Sequence, residues 1–190
     1  MTSSVVATGL IAAVVFGFGA HSQAMFKAGG QRMLRPVIDA FTANLVGWLL
    51  MFAVALAALY FLPAWASSVA IFVSAIFLAL AGAARYLAPP GAFARDLPAA
   101  TRSSAFLPVP RAGEAWAMAF FLAGSALTGS VTLAVAFAGL TVLTVMGLGL
   151  WAAAGWSGCQ MLSSGWHRRH LDWAFGIFLF VAGIAALLPG

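Results

Sequence analysis

The chain has 190 residues, of which 64% are hydrophobic and only 7% charged, and its mean hydropathy is +1.04. A soluble domain carries about a quarter charged residues, so this inventory excludes a soluble globular fold. The single cysteine, Cys159, excludes an internal disulfide, a CxxC redox pair and a cysteine-based metal cluster.

Apolar runs of about 18 residues or more read as membrane-spanning helices. In lipid the backbone must satisfy its own hydrogen bonds, which helices do. The period-two alternation of a membrane β-barrel is absent. The first expected span covers 3–26 and the second 37–62. Pro63 then turns the chain into a third span at 64–87, followed by a polar, Pro-rich linker at 88–113. Residues 115–166 contain no Asp, Glu, Lys or Arg. That length is too great for one helix across a core of about 30 Å. It divides into a fourth span near 115–135 and a fifth near 139–163, with the reversal expected at 137–139. The sixth span, 171–188, stops at Pro189-Gly190.

The nine basic residues sit in three places. Lys27, Arg32 and Arg35 follow span one; Arg85, Arg95, Arg102 and Arg111 follow span three; Arg168 and Arg169 follow span five. The positive-inside bias makes those loops cytoplasmic and puts both termini outside. The net charge of +5 then faces anionic headgroups, and nucleic acid is not an expected partner. Residues 1–24 open with Met1-Thr2-Ser3-Ser4, without a basic n-region, so a cleaved signal peptide is not expected. The expected fold class is all-α integral membrane with six transmembrane helices. Residues 1–88 form one three-helix half, 89–113 a cytoplasmic linker and 114–190 the second half. Three spans starting outside and three starting inside have the layout of a 3+3 inverted-topology repeat, a common transporter construction.

Three stretches resemble the lysine/homoserine exporter (LysE-type) family of six-helix amino-acid exporters. KAGGQRMLRPVIDAFTANLVGW (27–48) is similar to the family's Gly-Gly-Arg-rich loop and small-residue second helix. GLGLWAAAGW (147–156) is similar to its fifth helix, and WHRRHLDWAFGIFLFVAGIAALL (166–188) to its basic loop and last helix. Gly17-Phe18-Gly19 stands where the family's first helix carries Pro-Gly-Pro, and the family's Asn-Pro-Lys motif before the fourth helix has no counterpart around 114–126. The resemblance implies a secondary transporter of a bacterial inner membrane that exports a small polar, amino-acid-like solute. The alternative is a non-transporting membrane subunit or assembly factor, which sparse intramembrane charge would suit.

Ionisable groups inside a span cost about 2.5 kcal/mol or more at its centre and so face a bundle interior or a wet cavity. Asp39 either pairs with Arg35 one turn earlier or caps the helix start, or, together with Asn44, lines an inward vestibule for a cationic or ammonium-bearing solute. Gly17 and Gly19 let the first helix loosen or another approach. His21 and Gln23 follow within a turn or so, and either line a polar pocket or enter the headgroup region with Lys27. An imidazole titrates near neutrality, so a site-lining His21 would carry protons for proton-coupled export. Ser125 and Thr128, with Gly124 and Gly129, are read near mid-membrane on span four. They either pack helices with their hydroxyls bonded back to helix carbonyls or contact solute.

Gly155-Trp156-Ser157-Gly158 matches a GxSG serine motif, but such chemistry needs a histidine base at the serine's depth. His167 and His170 are expected in the basic loop, so no enzyme activity is expected. Three histidines and four acids show no ligand spacing beyond His167-x-x-His170, so neither a metal nor another cofactor is expected. The expected partners are the lipid bilayer, a small polar solute, and a second copy of the chain or membrane-complex subunits.

Overall fold

The computed structural model describes residues 20–32, 34–88, 113–157 and 165–188, and their regular structure is entirely helical. The helices are α1 (Ala20–Gly30), α2 (Leu34–Tyr60), α3 (Trp65–Leu87), α4 (Gly113–Leu127), α5 (Leu133–Trp156) and α6 (Gly165–Leu187). α2 and α3 match the second and third expected spans within a few residues. The turn between them contains Pro63, whose carbonyl accepts the Ala66 N–H at 2.8 Å.

The reversal in the charge-free stretch lies at 128–132, not at 137–139. The last carbonyls of α4 are satisfied locally there. Gly124 O accepts from the Thr128 N–H at 2.9 Å, Ala126 O from the Gly129 N–H at 3.3 Å and Ser125 O from the Val131 N–H at 3.2 Å. Gly129 has φ +74, the left-handed conformation that commonly ends a helix. Thr132 then caps α5, its side-chain oxygen accepting the Val135 N–H at 3.3 Å. Phe137 is inside α5, its ring edge-on to Phe52 at 5.4 Å between centroids. The expected bounds 115–135 and 139–163 therefore become 113–127 and 133–156. Hydropathy cannot locate a hairpin inside a uniformly apolar run; the hydroxyl and glycine chemistry of its capping does.

The second correction is at α6. It begins at Gly165 rather than 171, so Arg169 and His170 are helical residues and not loop residues. A helix satisfies its own backbone bonds and has no reason to stop where its apolar stretch stops.

Glycines set the closest contacts. A Cβ at Gly82 would meet the Gly176 carbonyl oxygen and the Phe180 nitrogen at 2.5 Å, and one at Gly176 would meet the Gly82 oxygen at 2.7 Å. At Gly183 a Cβ would meet Ala75 O and Ala79 N at 2.6 Å. The pairs 82–176 and 75–183 run in opposite order, so α3 and α6 are antiparallel. A Cβ at Gly29 would strike the Ala152 carbonyl, and one at Gly155 the Phe26 carbonyl, which brings the C-terminal turns of α1 and α5 together. Val37 and Phe41 of α2 pack against Met25, Leu148 and Trp151 at that level. Further along, Met51, Phe52, Ala55 and Leu59 form a core with Ala119, Ala123, Ala136 and Leu140. A third cluster joins Leu78 of α3 to Met118 of α4 and to Phe175 and Leu179 of α6.

The outside of the bundle is apolar. Exposed positions recur every three or four residues: Val46, Leu50 and Val54 on α2; Val69, Val73, Phe77 and Leu80 on α3; Val142, Met146 and Leu150 on α5; Ile177, Val181 and Ile184 on α6. α3 and α5 are long and apolar enough to cross a membrane. Shorter apolar helices cover Leu45–Tyr60, Gly113–Leu127 and Trp173–Leu187.

Candidate functional site

The end of the bundle that gathers the C-terminus of α3 and the N-termini of α4 and α6 holds a chain of cation and ring contacts. Glu114 opens α4, and its Oε1 accepts from Arg85 Nη2 at 3.2 Å and Arg85 Nε at 3.3 Å. Both side chains are 18% exposed, so this is a partly desolvated, charge-assisted contact. The Arg85 guanidinium carbon also lies 4.4 Å from the Phe175 ring centroid. One side chain therefore joins α3, α4 and α6. Outside it, Trp173 takes the Tyr86 ring at 5.9 Å, the His170 ring edge-on at 5.4 Å and the Arg169 guanidinium at 4.5 Å. Arg85, expected in a basic loop, lies in the last turn of α3. The spacing of 29 residues between Arg85 and Glu114, across the linker, carries no local signal of their pairing.

The opposite end carries an open groove of about 480 Å³ lined by Ala53, Leu56, Tyr60, Phe61, Leu127 and Leu133, among others. Its walls come from α2, α4 and α5 and are almost wholly apolar.

Of the residues expected to line a pathway, Asp39, Ser125 and Thr128 are described and are not gathered at one place. Gly17 and Gly19 lie outside the described residues. His21 and Gln23 fall on the first turn of α1, with side chains outside the described set. Asp39 is exposed on α2. Arg35 is exposed as well, and among the described residues the one ion pair is Arg85–Glu114, so the expected Arg35–Asp39 pair does not form. Asn44 lies five residues further along the same helix, with its side chain outside the described set. Ser125 is buried at 6% exposure, close to where Gly124 meets the Ser67 carbonyl and Ile71 of α3. Thr128 is exposed in the turn, its Oγ1 donating to the Gly124 and Ser125 carbonyls at 3.0 and 3.2 Å. The Ser130 hydroxyl donates to Ser125 O at 2.9 Å. These hydroxyls close the end of α4, which is not the mid-helix position expected of them. Ser125 and Thr128 stand at the far end of the bundle from Asp39.

Ser157 of the GxSG motif is exposed and ends α5, its hydroxyl donating to the Ala154 carbonyl at 2.8 Å. Gly155 of the same motif serves the close approach to α1. Among the described residues no three His, Cys, Asp or Glu side chains come together as a metal site. Comparison with protein-family models, with characterised proteins and with solved structures finds no match.

Proposed function

We propose that the chain is a six-span integral membrane protein that exports a small polar, amino-acid-like solute, in a 3+3 inverted arrangement with both termini outside. The observation that carries the membrane part is the apolar exterior. Stripes on α2, α3, α5 and α6 face outward together, and a soluble monomer rarely exposes apolar patches beyond a few hundred Å². The helix pairing supports the inverted arrangement. Exchanging the halves maps α1 onto α4, α2 onto α5 and α3 onto α6. Under that exchange α3–α6 and α2–α5 map onto themselves, α1–α5 onto α2–α4 and α1–α2 onto α4–α5, and all of these pairs pack, whereas α3–α4 packs without a comparable α1–α6 contact among the described residues. A site between such halves is where transporters of this construction hold solute. The likeness of 27–48, 147–156 and 166–188 to LysE-type exporters supports the solute class, and His21 is the proton carrier in this proposal.

The test is efflux of amino acids from cells lacking their own exporters, beside cells without the chain. Export above background supports the proposal, and its loss in Asp39→Asn at equal expression would assign the acid to the pathway. A second reading, a non-transporting subunit of a membrane complex, is favoured by the apolar groove at α2, α4 and α5, which suits an apolar segment better than a polar solute. Absence of export together with co-purification of fixed membrane partners would select that reading.

A further inference from the structure

We infer that the exposed face of α6 that starts at Arg169 holds one anionic phospholipid, with its phosphate at Arg169 and His170 and its chains along the apolar residues below. The inference rests on the proposal that the bundle spans a membrane. At 100° per residue, Arg169, His170, Trp173, Ile177, Phe180 and Ile184 fall within about 120° of the helix circumference, so they form one stripe. Arg169 and His170 are exposed, as are Ile177, Phe180 and Ile184. The order along the stripe is cation, indole, then aliphatic and aromatic side chains. That is the order of a lipid: phosphate, glycerol interface, hydrocarbon.

Length agrees with this. Fifteen residues separate Arg169 from Ile184, a rise of about 22 Å, and one leaflet with its headgroups is about 20–22 Å thick. The head end is also built from two helices. Trp173 lies between Tyr86 of α3, the His170 ring and the Arg169 guanidinium. A guanidinium over an indole face keeps its N–H donors, which lie in its own plane, for bidentate contact with a phosphate. The stretch 167–172 contains Arg168, Arg169 and Asp172, two positive charges and one negative, which leaves +1 and favours an anionic over a zwitterionic headgroup.

The full-length chain in detergent micelles would be titrated with phosphatidylglycerol or phosphatidylcholine and the bound lipid counted by native mass spectrometry. One basic side chain at a membrane surface is expected to make phosphatidylglycerol bind about fivefold tighter than phosphatidylcholine. Arg169→Gln should abolish that preference, whereas Arg35→Gln, which removes another exposed cation, should keep it. Equal binding of the two lipids by the wild type overturns the inference, with no variant needed. Equal loss in the two variants would show general charge rather than a site. Displacement of phosphatidylglycerol by inorganic phosphate at matched concentration would show an anion site rather than a lipid site. A carbonate wash of the membranes separates the two levels. Release of the protein sinks the membrane proposal; retention without lipid preference sinks only this one.

Discussion

A single carboxylate oxygen of Glu114 accepts two hydrogen bonds from Arg85, at 3.2 Å from Nη2 and 3.3 Å from Nε. The pair ties the last turn of α3 to the first turn of α4. Each side chain is 18% exposed, more protected than a surface pair and less than a buried one. A double-mutant cycle of Arg85→Gln and Glu114→Gln, read by thermal unfolding in detergent, should give a coupling of about 1–2 kcal/mol. Additive single effects would mean that the contact is not held in solution.

The α3–α6 interface depends on backbone approach at Gly82 and Gly176. Gly82→Val or Gly176→Val should destabilise by about 1–3 kcal/mol or more, because the obstructing atoms are backbone and cannot rotate away. Gly149, in the interior of α5, has nothing within 4 Å of an added Cβ. Gly149→Ala should therefore stabilise by about 0.5–1 kcal/mol. Similar losses at all three positions would count against the close approach.

Arg32, just past α1, has φ +53, and its N–H donates to the Gly29 carbonyl at 2.9 Å. The left-handed conformation costs a side-chain-bearing residue about 1–2 kcal/mol. Substitution by the β-branched Arg32→Val should lower stability by about that amount, and Arg32→Gly should hold or raise it. Melting temperatures in the opposite order would show that the turn is not left-handed.

The reversal at 128–132 is testable through its caps. Thr132→Ala should cost about 1 kcal/mol, while Thr132→Ser keeps an acceptor for the Val135 N–H and most of the stability. Gly129→Ala should cost about 1–2 kcal/mol because of its left-handed φ. Were the chain to reverse at 137–139 instead, neither substitution would be felt and Gly139→Val would be the damaging one.

Topology can be read with single cysteines in a Cys159→Ser background. Gln31→Cys, after α1, should react with an impermeant thiol reagent only when the cytoplasmic face is opened. Ser130→Cys, in the α4–α5 turn, should react in intact spheroplasts. Labelling of both from the same side would remove the 3+3 proposal.

Composition alone set the helical class, because apolar runs of about 18 residues or more without period-two alternation read as helices, and hydropathy marks α2 and α3 to within a few residues. Local chemistry held the rest of the secondary structure in plain view: Gly129, Ser130 and Thr132 are the stop and start signals of α4 and α5, obscured because small polar residues inside an apolar run also serve helix packing. What only the tertiary structure decided is which residues meet. Arg85 finds Glu114 across 29 positions, Gly82 finds Gly176, and Tyr86 finds Trp173 because α3 and α6 lie antiparallel. Pairings of that kind depend on how helices choose neighbours, and the shape of facing side chains and the absence of Cβ atoms at glycines make that choice. Periodicity along one helix shows which of its faces is apolar and carries no information about which helix covers that face.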